Sequence, residues 1–118
     1  MFADRLRSVS DRIGDAMTIA LVAGDGVPVE SWPKQPEHDV EILAAEFMTQ
    51  VQSISQNHEE LNAGGVRQLT IDTDQLTVMV SALTRGYYLL LVLRAGANKG
   101  RARFELRRAV LSFERDLV

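Results

Sequence analysis

The chain contains no cysteine, which removes disulfide frameworks, thiolate metal sites and cysteine nucleophiles together. It has two histidines, His38 and His58, at opposite ends of one helical pattern. On a continuous helix they would stand roughly 30 Å apart, too far to share a metal ion or a proton within one chain. No apolar run approaches the roughly 18 residues of a membrane span, and the charged opening Met1-Phe-Ala-Asp-Arg-Leu-Arg7 is unlike a secretory signal. No direct membrane insertion is expected, and a cytoplasmic location is. P-loop, GxGxxG, HExxH and GxSxG patterns are all missing. Glu59-Glu60 and Asp72 with Asp74 read as a helix end and a turn, where carboxylates are solvated rather than tuned for acid–base work. No catalytic, cofactor-binding or metal residue is assigned, and no enzyme is expected.

Length and charge set the remaining bounds. At 118 residues a single domain over 1–118 is expected, burying roughly two-thirds of its unfolded surface. The net charge of −3 conceals a segregation: Asp25 to Glu60 holds eight acidic residues and one Lys, and Arg94 to Arg108 six basic residues and one Glu. Such asymmetry guides a charged partner or simply marks solvated helix faces. The basic cluster sits in an acidic chain with no recognition module around it, so no nucleic-acid partner is expected.

What is present begins with Tyr87 to Leu93, seven residues apolar at every position. An unbroken run of this length reads as a strand covered on both faces, which requires helices on both sides of its sheet. Phe2, Leu6, Val9 and Ile13 predict a short amphipathic helix ahead of it. Met17 to Ala23, the turn Gly24-Asp25-Gly26 and Val27 to Trp32 predict a hairpin, with Pro28 placing the second strand near an edge.

Beyond Pro33 and Pro36, Asp39 or His38 starts a second helix. Its inward stripe reads Val40, Leu43, Ala44, Phe47, Val51, Ile54 and Leu61. Its other side, Ala45, Thr49, Gln52, Ser53 and Gln56 with Ile42 and Met48 on the flanks, is poor in charge, which suits either a second contact surface or a mild solvated face.

Gly64-Gly65 closes that helix. Val66 to Thr73, Gln75 to Leu83 and the apolar run form a meander of three antiparallel strands. After Asn98 the last helix carries Ala102, Leu106, Ala109, Val110, Phe113 and Leu117 as its core stripe. Phe104, Leu111 and Val118 lie on nearly the opposite side and need a cover of their own, from the first helix, a partner chain or the chain end. The predicted fold is α+β: a five-stranded antiparallel sheet in the order α-β-β-α-β-β-β-α, the middle helix on one face and the terminal helices on the other.

Several of these segments resemble the Roadblock/dynein light-chain family in its prokaryotic form. They are the hairpin Gly24-Asp-Gly-Val-Pro-Val-Glu30, the helix Glu41-Ile-Leu-Ala-Ala-Glu-Phe47, the strand Val66-Arg-Gln-Leu-Thr-Ile71, the run Tyr88 to Leu93, and Ala97 to Arg108, the last being the most specific. The resemblance implies a homodimer or heterodimer whose middle helices pair and whose third strands join two sheets into one, with a Ras-like small GTPase docked on the paired helices. By position it places dimer contacts at Leu43, Phe47, Met48, Val66, Gln68, Leu69, Thr70 and Ile71, and partner contacts at Glu41, Ala45, Thr49 and Gln52. The implied function is that of a non-catalytic homodimeric regulator or adaptor, with a GTPase-activating role on the partner open. Arg85, in a turn, is the exposed candidate for an inserted arginine, although a lone turn arginine is far more often solvated. The alternatives are a structural dimer or scaffold subunit with no nucleotide-bound partner, and a small-molecule sensor, which an apolar pocket beneath Trp32 would favour.

Overall fold

The computed structural model describes residues 2–36 and 38–116, with the side chains of Asn57, His58 and Glu59 left aside. The expectations resting on Leu117, on Val118 and on the side chains of His58 and Glu59 lie outside the described residues. The elements run α1 (Phe2–Ile13), β1 (Ala16–Ala23), β2 (Pro28–Trp32), α2 (Val40–Leu61), β3 (Gln68–Asp72), β4 (Leu76–Ala82), β5 (Tyr87–Arg94) and α3 (Lys99–Asp116), with a short 3₁₀ turn at Thr84–Gly86 between β4 and β5. They are the elements predicted from the sequence, in the predicted order.

The five strands form one sheet in the order β2-β1-β5-β4-β3, and every neighbouring pair is antiparallel. β5 is central, which explains its unbroken run. Leu89, Leu91 and Leu93 point into the core beneath α1 and α3, while Leu90 and Val92 point into the core beneath α2. All five are buried, each Leu contributing roughly 1.5–3 kcal/mol through the apolar surface it removes from water. β2 and β3 are the two edges. Pro28 lies on the β2 edge opposite a register shift between Leu21 and Val22, a place where a missing N–H costs little.

On the α1–α3 side the two helices contact each other as well as the sheet. Leu6, Val9 and Ile13 of α1 meet Ala102, Leu106, Ala109 and Phe113 of α3. The Phe2 and Phe113 rings stack at 5.7 Å, and the Arg5 guanidinium lies 4.4 Å from the Phe113 ring centre while also bonding Asp116. Glu105, nearly buried, accepts from Arg12 at 3.0 Å and from Arg108 at 3.3 Å, joining the two helices. Asn98 caps α3 by accepting the Arg101 N–H at 3.0 Å.

On the other side α2 lies alone. The Asp39 carboxylate accepts the N–H groups of Glu41 and Ile42 at 2.9 and 3.2 Å, so Asp39, not His38, is the cap. Among the described side chains of α2, Val40, Ala44, Met48 and Val51 are buried. The inward stripe is therefore rotated from the one predicted. Met48, placed on a flank by the helical pattern and at the dimer contact by the family resemblance, is 3% exposed inside its own chain. Leu61, placed inward, is 74% exposed, because the helix outruns the sheet it covers.

Candidate interaction surface

The buried stripe of α2 leaves two unequal flanks. Leu43, Phe47 and Ile54 are half-buried, and Leu61 continues their line, at spacings of four, seven and seven residues. Leu43 and Phe47 pack against the same core as Val66 and Leu69, on the flank of α2 turned away from the β1–β2 turn, which meets Ala45 and Gln52. The result is an apolar seam, half covered, along the border between α2 and an edge strand.

The edge itself is open. The Thr73 N–H donates to the Leu76 carbonyl and the Ala82 N–H to the Arg67 carbonyl, which bracket the β3–β4 ladder. Antiparallel alternation then commits the main-chain groups of Leu69 and Ile71 to β4 and turns those of Gln68, Thr70 and Asp72 outward. The side chains alternate too: Leu69 and Ile71 lie on the α2 side, Gln68 and Thr70 on the α1–α3 side. The Gln68 side-chain amide donates to the Ser81 hydroxyl at 3.1 Å. Of the residues that the resemblance assigns to a dimer contact, Leu43, Phe47, Val66, Gln68, Leu69, Thr70 and Ile71 gather around this seam and edge. Met48 does not, since its own core encloses it.

The opposite flank of α2 meets the β1–β2 turn. The Gln52 side-chain amide donates to the Gly24 carbonyl at 2.8 Å. Gly26 adopts φ +92° and a Cβ there would come within 3.2 Å of the Ala45 Cα, so the turn presses on the helix backbone at a residue that only glycine fits comfortably. Two of the four assigned partner residues, Ala45 and Gln52, thus support the turn. The other two stand clear on the outer surface: Glu41 in the first turn of the helix, and Thr49, whose hydroxyl bonds back to the Ala45 carbonyl at 2.9 Å. Ile42, which the sequence reading had left on the flank, is 66% exposed.

Arg85 sits in the turn between β4 and β5 with φ +61°, an uncommon conformation for a side-chain-bearing residue. It is exposed and forms no ion pair among the described residues. Trp32 packs against the α1–α3 core with the Arg7 guanidinium 5.3 Å from its ring centre, so its ring already has a cover. Phe104 and Leu111 are both 60% exposed; α1, one of the covers considered for them, packs on other faces of α3.

Among the described residues no group of acidic or histidine side chains could hold a metal ion, and no helix is long and apolar enough to cross a membrane. The model of the Roadblock/LC7 domain matches residues 3–93, and the chain belongs to that family. The match ends before α3, so the segment whose sequence looked most specific, Ala97 to Arg108, lies outside it.

Solved structures share the whole fold at low identity. A Roadblock/LC7 domain from Streptomyces avermitilis is 18% identical with a TM-score of 0.86, over 96% of this chain and 94% of that one. MglB from Myxococcus xanthus is 11% identical with a TM-score of 0.87, over 97% and 92%. An MglB with tetrameric arrangement is 16% identical with a TM-score of 0.84, over 95% and 84%. No curated protein matches the sequence significantly.

Proposed function

We propose that this chain, acting as one Roadblock unit over residues 1–118, is a non-catalytic homodimeric regulator or adaptor of a Ras-like small GTPase in the cytoplasm. One observation carries the reading: the half-covered apolar line Leu43, Phe47, Ile54 and Leu61 runs beside the open β3 edge. A two-fold partner would cover the line with its own copy and pair the outward main-chain groups of Gln68, Thr70 and Asp72, removing an edge that otherwise invites aggregation. A helix and a strand from each chain suffice for an interface on the order of 1,600 Å². The GTPase would then meet the outer surface of the paired helices, at Glu41, Ile42 and Thr49. Membership of the Roadblock/LC7 family and the likeness to MglB support a regulator; the hydrolysis rate of the partner separates an accelerator from an adaptor.

The test is the mass of the purified chain by light scattering, alone and mixed with Ras-like GTPases of the same genome bound to GDP or to a GTP analogue. A dimer that binds one nucleotide form is expected. A chain that stays monomeric at high concentration overturns the dimer, and a dimer that binds neither form overturns the GTPase reading. Thr70→Pro sharpens the first outcome: it deletes an outward donor while sparing the β3–β4 ladder, so it should weaken the dimer with little unfolding. The scaffold alternative keeps one specific support, the tetrameric arrangement of a structural relative, and predicts growth beyond the dimer.

A further inference from the structure

The α1–α3 side of the sheet is not covered to its end. α3 crosses β5 and β4 but leaves β3 bare, and a cleft of about 640 Å³ opens between the two. Leu83 of the β4–β5 connection and Val110 of α3, both packed on the α1–α3 core, give its floor an apolar part, and Gln68, Ser81 and Thr84 a polar one. Its walls carry three guanidiniums, Arg67 from the β3 side and Arg103 and Arg107 from α3. Among the described residues none of the three forms an ion pair or donates a side-chain hydrogen bond. The charge of Arg103 does act on Asp72, whose own ion pair is with Lys99 at 2.9 Å. Glu114 is the one acid on the wall.

The exposed apolar pair belongs to the same surface. Phe104 follows Arg103 by one residue, and Leu111 follows Arg107 by one turn, so on a helix of 3.6 residues per turn both rise on the rim beside the two arginines. The Arg108 guanidinium lies 5.8 Å from the Phe104 ring centre, yet Phe104 and Leu111 both stay 60% exposed. Cationic walls, a partly apolar floor and an apolar rim complement one kind of occupant, a segment carrying carboxylates on one side and apolar groups on the other. We propose that the cleft between β3 and α3, with the Phe104–Leu111 rim, docks an acidic amphipathic segment of a protein partner. The carboxylates meet Arg67, Arg103 and Arg107, and the apolar side chains cover Phe104 and Leu111. The chain's net charge of −3 makes this basic surface a local feature, which gives the docking direction as well as attraction. The site lies on the sheet face opposite α2, so it goes beyond the GTPase reading and leaves room for both partners at once.

The test is selection of a 12-residue random peptide library displayed on phage against the intact protein, followed by anisotropy of the enriched peptides. Acidic sequences with interspersed Leu or Phe are expected, binding more weakly as salt rises. Arg103→Glu with Arg107→Glu should weaken them at least about tenfold, and so should Phe104→Ser with Leu111→Ser; both pairs are exposed, and circular dichroism checks that the fold survives. Glu114→Gln should tighten binding a few-fold. No enrichment, enrichment without acidic bias, or binding unchanged by the paired arginine substitutions overturns the proposal. So does binding of vesicles with anionic lipid that the same arginine substitutions abolish while no peptide is enriched, because the surface would then serve a membrane.

Discussion

The two faces of the sheet are built on opposite plans. On the α1–α3 side two helices lock each other: Glu105 holds Arg12 and Arg108, Arg5 reaches across to Asp116, and Phe2 stacks on Phe113. On the other side, among the described residues, α2 packs against the sheet and the β1–β2 turn alone, and a line of apolar residues along its flank is left half covered. The α1 and α3 helices brace each other wherever they meet, even though the β3 end of their face stays open. The difference lies in how many neighbours each helix has rather than in how apolar each helix is.

The sharpest break of this comparison should come from the self-contained side. Phe113→Ala removes a ring that is 1% exposed and stacked on another, and a loss of about 3–5 kcal/mol in urea unfolding is expected. Next, Met48→Ala and Ile42→Gln separate the inside of α2 from its outside. The first should cost about 2–4 kcal/mol. The second should change monomer stability by less than about 0.5 kcal/mol while weakening the GTPase partner in a pull-down. Equal effects on stability would erase the distinction between the two sides of the helix.

Glu105→Gln should be milder, about 1–2 kcal/mol by thermal unfolding, since Arg12 and Arg108 are 42% and 55% exposed and can return to water. The smallest effect is expected at Asp72. The hydrogen bond from Lys99, then that from Thr77, holds its carboxyl below the usual carboxylate range. A lowered folded pKa stabilises the folded state above the unfolded value, and that contribution fades as pH falls through the folded one. Asp72→Asn should therefore lower stability slightly at neutral pH, leave it unchanged below the folded pKa, and flatten the rise between the two.

Much of this was legible in the sequence because it is local or periodic. The unbroken run Tyr87 to Leu93 announced a strand covered twice, and Asn98 announced its helix through a cap that spans three residues. What was misread depends on where the pieces sit in space. A helical wheel treats α2 as if its cover were centred and endless. The β1–β2 turn presses on one flank at Ala45 and Gln52, which rotates Met48 inward, and the sheet ends before Leu61. The basic cleft was invisible for a related reason: Arg67 meets Arg103 and Arg107 only through the packing of α3 on the sheet, and no spacing along the chain encodes that.

The turn that leans on α2 also makes the helix audible at a distance. Ala45 lies against Gly26, and Gln52 holds the Gly24 carbonyl, so a visitor arriving on that side of the helix must disturb the tip of the hairpin before it can settle. Gly26 donates its own N–H to the Ala23 carbonyl at 2.9 Å, and that amide is a natural sentinel: its nuclear resonance should move when the flank is occupied and stay still when only the far side of the sheet is in use.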